Sequence, residues 1–232
     1  MTDKTAKIEV VNKIFEYFQE LGFQNIVFYG SYIEQMNGFD VVPNDIDVCI
    51  VMDEEPPEKR HKTFYLGFTD LPINVEFMHR KSFEAELKSM QPKYFMYISN
   101  PALHKDIDSA FQSKELHEVR SCISSVSSKA FDKGKKKLTV ENDYDEVLGL
   151  KNIYHAFKFL YYAKWYYYPE MNPPKEAELQ FLNEIHKNIY EIYQNSTGTL
   201  DERCKVLLNY VKGLYNTQMT GFRILFPKQV NT

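Results

Sequence analysis

Cysteine is scarce in this chain. The three present, Cys49, Cys122 and Cys204, lie far apart and form no Cys-x-x-Cys pair, which excludes a zinc knuckle and a disulfide framework. No apolar run approaches the roughly 18 residues a membrane span requires. The opening Met1–Lys7 stretch has no apolar segment of the kind that marks a secretory signal. A cytoplasmic location away from membranes is therefore expected. Neither sign of charge dominates: 28 Lys and Arg against 32 Asp and Glu leave a net charge of −4. That balance excludes adhesion to nucleic acid through bulk charge and confines any such contact to a local basic patch. Fixed-period repeats and low-complexity tracts are absent too. Tryptophan occurs once, yet 17 Tyr and 17 Phe raise the aromatic share to 15%.

What is present reads as two halves. Ile8, Val11, Ile14, Phe15, Phe18 and Leu21 recur at helical steps, and Gly22 stands where that helix would end. Short apolar runs follow at 25–29 and 46–51, then a charged turn over 53–62 containing Pro56-Pro57. Two further strands are expected at 63–68 and 73–78, and Ser82 stands ready to cap a helix through Ser89. Beyond that the pattern turns helical, over about 114–137, 146–168, 174–194 and 200–216. The fold class expected is α+β: a small mixed sheet with helices over residues 1–110, followed by an all-helical half over 111–232.

The chemistry-bearing stretch is Phe28-Tyr29-Gly30-Ser31, thirteen further residues, then Asp45-Ile46-Asp47-Val48. Carboxylates at alternate strand positions face the same way, so both can reach a hard cation that favours oxygen ligands. Gly30 allows close approach of backbone to a phosphate, and Ser31 offers a hydroxyl and an amide at the start of a helix. A third acid, Glu76, interrupts the apolar strand Asn74-Val75-Glu76-Phe77-Met78. An acid in such a strand is costly unless paired or metal-bound.

Gly30-Ser31, the gap, Asp45-x-Asp47 and the later Glu76 resemble the signature of the DNA polymerase β-like nucleotidyltransferase superfamily. Three further stretches resemble the stand-alone, YcgL-like nucleotidyltransferases of bacteria and phages: Arg80–Phe83, Ser99–Pro101 and Lys151-x-x-x-His155-x-x-Lys158. Two departures are the long 33–43 loop and Tyr32, at a place where that group often has Arg. The resemblance implies two Mg²⁺ ions held by Asp45, Asp47 and Glu76, and an NTP whose β- and γ-phosphates rest on Gly30 and Ser31. It further implies transfer of NMP to an acceptor hydroxyl, on an RNA 3′ end such as that of a tRNA or on a protein side chain, with release of pyrophosphate. Lys133, Lys151 and His155 are expected to add positive charge toward the nucleotide. The alternative is a catalytically inactive nucleotide-binding or protein-interaction module on the same fold.

Two tempting features have plainer explanations. Consecutive residues of the Tyr161–Tyr168 run point all round a helix, so packing accounts for most of them. The acidic cluster Glu141–Glu146 sits just before a helix, where capping and dipole pairing suffice.

Overall fold

The first helix, α1 (Asp3–Glu20), buries Val11, Ile14 and Phe18 and leaves Ile8 and Leu21 at the surface, 40% and 53% exposed. The apolar stripe is thus narrower than its periodicity suggested. The computed structural model describes residues 3–170 and 175–229, and the chain divides into two compact units, Met1–Ser113 and Lys114–Thr232.

The first unit is built on a five-stranded sheet. Its elements are β1 (Ile26–Tyr29), α2 (Ser31–Met36), β2 (Ile46–Met52), β3 (His61–Phe64), β4 (Ile73–His79), α3 (Arg80–Lys88), β5 (Ile98–Ser99) and α4 (Pro101–Gln112). The strand order is β3-β4-β2-β1-β5, with β2 and β4 parallel and the other pairs antiparallel. One face carries Phe28, Val48, Ile50, Val75 and Phe77 against α1 and α2. The full burial of such side chains stabilises the unit by about 1.5–3 kcal/mol each. The other face carries Val27, Cys49 and Met78 in its buried part and Tyr29, Asp47, Asn74 and Glu76 toward one end. Alternation along each strand therefore separates the core from a polar end of the sheet.

Several boundaries differ from the sequence reading. Strand β3 begins at His61, inside the stretch expected as a turn, and ends at Phe64 rather than 68. It pairs only with β4, and a turn bond from Thr69 N–H to the Leu66 carbonyl closes the segment beyond it. Helix α3 starts at Arg80 and not at Ser82, because the His79 ring Nδ1 accepts the Lys81 N–H at 3.1 Å and caps the helix. Helix α4 and the two-residue β5 are additional to the elements expected from the sequence. A boundary at residue 110 would cut α4, which packs with β5 in the first unit. Asn100 holds that edge, its Oδ1 accepting the Ile26 N–H at 3.0 Å.

The second unit consists, among the described residues, of α5 (Leu116–Thr139), α6 (Glu146–Tyr167), α7 (Lys175–Asn195) and α8 (Leu200–Leu225). The expected start of α7 at Pro174 lies outside the described residues, and α8 runs nine residues past the expected Asn216, burying Met219 and Phe222. Helices α5 and α6 meet at two glycines. A Cβ on Gly134 would stand 2.8 Å from the Gly149 carbonyl oxygen and the Ile153 amide nitrogen, so only glycine permits that approach. Tyr161 and Tyr162 of the aromatic run are buried, as is Tyr154 before it, whereas Tyr166, Tyr167 and Tyr168 are half-buried.

Candidate active site

The β1–α2 turn and the start of β2 form the centre of the polar end. Gly30 adopts φ 80°, in the left-handed region, and its missing Cβ leaves room for another group. A Cβ there would lie 2.2 Å from Asp47 Oδ2. The carboxylate of Asp47 therefore rests directly on the Gly30 backbone. Register explains the meeting: Tyr29, the residue before the glycine, is paired with Asp47 across β1 and β2. Gly30→Ala is expected to lose about 1–3 kcal/mol to backbone strain alone and further stability to the clash. A melting curve showing no loss would contradict this placement.

On the other side of β2, Asn74 is in register with Asp47 and donates from Nδ2 to Asp45 Oδ2 at 2.7 Å. Asn74 Oδ1 in turn accepts from the Thr63 hydroxyl at 2.9 Å. This chain of bonds orients Asp45 beside Asp47. Neither Asn74 nor Thr63 was singled out by the sequence reading. The only signal for them was their position on strands flanking the acids.

Glu76 sits one pleat farther along β4, level with Cys49. Its Oε2 is 3.2 Å from Lys93 Nζ and accepts from the Tyr29 hydroxyl at 3.3 Å. Lys93 also reaches Glu86 Oε2 at 2.8 Å and lies over the rings of Tyr29 and Tyr94, 5.0 and 5.2 Å from their centroids. Tyr94 donates to the same Glu86 oxygen at 2.6 Å. Burial acts against the Lys93 charge, but the bond to Glu86 and the fields of Glu76 and Glu86 outweigh it and raise its pKa. Burial pushes the neighbouring Cys49 thiol up to about 12, so it remains an unreactive thiol at neutral pH. Burial likewise raises the Tyr29 hydroxyl, with the Glu76 charge adding to it.

Glu76, expected as a third metal ligand, is thus committed to a lysine. Among the described residues no three His, Cys, Asp or Glu side chains gather into a group that could hold a metal ion. Asp45 and Asp47 by themselves are a pair of hard oxygen donors and fit one hard divalent cation. A cleft of about 430 Å³ opens beside Asp47, lined by Tyr29, Asp47, Asn74 and Glu76 and by Lys59 and His61; Asp45 adjoins it through its bond to Asn74. Lys59 and His61 are exposed cations or potential cations at its rim that the sequence reading had assigned to a surface turn. Lys62, also at this cleft, lies over the Phe77 ring, 5.5 Å from its centroid. Ser31 begins α2, and Tyr32 turns into the core, 4% exposed.

Lys133, Lys151 and His155 belong to the second unit. Lys133 and Lys151 are exposed, and His155 is half-buried with its ring centroid 5.5 Å from that of Phe159. Lys158, expected on the same face as Lys151, is buried and lies over Tyr154 and Tyr162. Lys136 and Lys137 bind Asp143 at 3.2 and 2.6 Å, and Asp145 Oδ1 caps α6 by accepting the Leu148 N–H at 3.0 Å. Those charges serve the α5–α6 connection.

Burial, followed by the fields of Lys158, Lys151, His186 and Lys133, holds the His155 pKa well below the ordinary histidine value. The neutral ring is favoured in the folded state, so its contribution to stability is full above the unfolded pKa near 6.5 and declines as pH falls below it. His155→Gln should flatten the fall in melting temperature between pH 7 and 5. An unchanged slope would remove His155 as its source.

No protein-family model matches the sequence, and no curated protein is significantly similar to it. Among solved structures, the chain is similar to a nucleotidyltransferase-like protein from Exiguobacterium sibiricum, with a TM-score of 0.36 and 14% identity over 92% of this chain and 77% of that one.

Proposed function

We propose that the protein is a divalent-cation-dependent nucleotidyltransferase that moves an NMP from an NTP to an acceptor hydroxyl. The observation that carries the reading is the seating of the Asp47 carboxylate on Gly30, with Asp45 oriented beside it by Asn74. A glycine turn, two adjoining carboxylates and an open cleft with cations on its rim are the parts that phosphoryl transfer uses for positioning and charge neutralisation.

In this reading Asp45 and Asp47 hold Mg²⁺, which when bound offsets triphosphate charge and activates the reacting phosphorus. Gly30 and Ser31 offer backbone and hydroxyl to the phosphates, and Lys59 and His61 favour the anionic substrate at the rim. Asn74 and Thr63 keep Asp45 in place. The two half-buried aspartates supply oxygen ligands for one cation. The two-ion arrangement implied by the sequence resemblance needs Glu76 as well, and hence its release from Lys93. Lys133, Lys151 and His155 remain proposed contacts of nucleotide or acceptor. The acceptor belongs to one of two classes, an RNA 3′ end or a protein side chain.

A second reading draws on one observation, the engagement of Glu76 by Lys93. It makes the unit a nucleotide-binding module without turnover. Incubation with each α-³²P-labelled NTP, Mg²⁺ and cell lysate separates the two. Label in RNA or protein, identified by nuclease and protease treatment, is the expected result. Saturable NTP binding without any incorporation would favour the second reading.

A further inference from the structure

A separate cavity of about 550 Å³ lies wholly within the second unit, lined by His117, Arg120, Ser121 and Ser124 of α5 and by Arg223 and Lys228 at the end of α8 and just beyond. No acidic residue lines it among the described residues. Two of the five arginines of an acidic chain converge here. Arg120 uses Nη1 to bind the carbonyls of Arg223 and Phe226, at 2.8 and 3.2 Å, which satisfies the end of α8 and leaves Nε and Nη2 for another acceptor. Arg223 and Lys228 form no ion pair among the described residues and extend into solvent. The Ser124 hydroxyl is buried in the wall and lacks a hydrogen-bond partner there.

We infer that this cavity is a binding site for a phosphomonoester, carried by a nucleotide or by the 5′ end of an oligonucleotide. Three cations concentrated in one cavity, with no counter-charge lining it among the described residues, attract a dianion, and the guanidinium fork matches phosphate oxygens in pairs. The volume accommodates a nucleotide-sized body as well as the phosphate. Nothing in this inference depends on Asp45 or Asp47.

The test is an amide NMR titration of the full chain in EDTA, with AMP, adenosine, and an oligoribonucleotide bearing either a 5′-phosphate or a 5′-hydroxyl. AMP is expected to shift the amides of residues 117–124, 223–226, 228 and 229, and adenosine to leave them in place. The double variant Arg223→Gln/Lys228→Gln should weaken AMP binding by at least about tenfold, since it removes two charge-assisted contacts. Both side chains are exposed, and the Arg223 carbonyl that binds Arg120 is retained, so the variant's melting curve should match the parent's. Tighter binding of the 5′-phosphorylated strand than of AMP identifies a strand end as the source, and equal binding identifies the free nucleotide. The inference is overturned if AMP moves none of these amides, if adenosine moves them equally, or if the double variant binds AMP as the parent does.

Discussion

Replacing Asp45 and Asp47 together by Asn is expected to lower NMP transfer by at least about 10³-fold, the scale of the several kcal/mol a bound cation contributes to the transition state. The fold should survive. Asparagine has nearly the same shape, an Asn at 45 still presents an oxygen to the Asn74 amide, and removal of two adjoining negative charges relieves repulsion. The melting temperature is therefore expected to hold or to rise slightly. A second readout does not depend on turnover. Mg²⁺ should raise the melting temperature of the parent protein, because a ligand of the folded state stabilises it by mass action, and it should leave the double variant unmoved. Undiminished transfer by a folded double variant would remove the aspartates from the chemistry. A Mg²⁺-dependent rise that persists would place the cation elsewhere.

Lys93→Met should produce the next largest effect, and it acts first on stability. One ammonium group serves both Glu76 and Glu86, each within 3.2 Å of it. Its loss leaves two carboxylates facing each other with only tyrosine hydroxyls as partners. A half-buried pair of this kind is expected to cost about 2–3 kcal/mol, read as a drop in the denaturant midpoint at an unchanged slope. Adding Glu86→Gln should recover a large part of that loss, because the remaining carboxylate keeps the Tyr29 bond and no longer faces a like charge. Lack of recovery would mean that Lys93 contributes through its packing over Tyr29 and Tyr94 instead. The variant also probes the candidate site. Freed from Lys93, Glu76 becomes available to a cation near Asp47, so Mg²⁺ should bind more tightly even as the fold weakens. Weaker Mg²⁺ binding would instead assign Lys93 a supporting part in holding the aspartates.

Much of the first unit was legible because strands and amphipathic helices carry their periods in the chain. The runs at 25–29, 46–51 and 73–78 became β1, β2 and β4 because β-branched and aromatic residues suit a pleated, half-buried surface. Where one element was stabilised mainly by its neighbours, local pattern said little. The first half of strand β3, His61-Lys62, reads as part of a charged turn because its partner supplies the pairing and little of it is buried. The cap of α3 went to His79 because a ring nitrogen two residues before Lys81 competed successfully with the serine hydroxyl at 82.

The candidate site divides along the same line. The sequence by itself determined that a glycine turn ends one strand, that two carboxylates alternate at the start of the next, and that an acid interrupts a third. Those are matters of spacing along one chain. Only the tertiary structure decided that Asp47 rests on Gly30, that Asn74 reaches Asp45, and that Glu76 pairs with a lysine seventeen residues away. Such pairings depend on strand register and on which charge stands nearest in a half-buried space. Neither quantity is carried by residues adjacent in sequence, because each is set where separate elements meet.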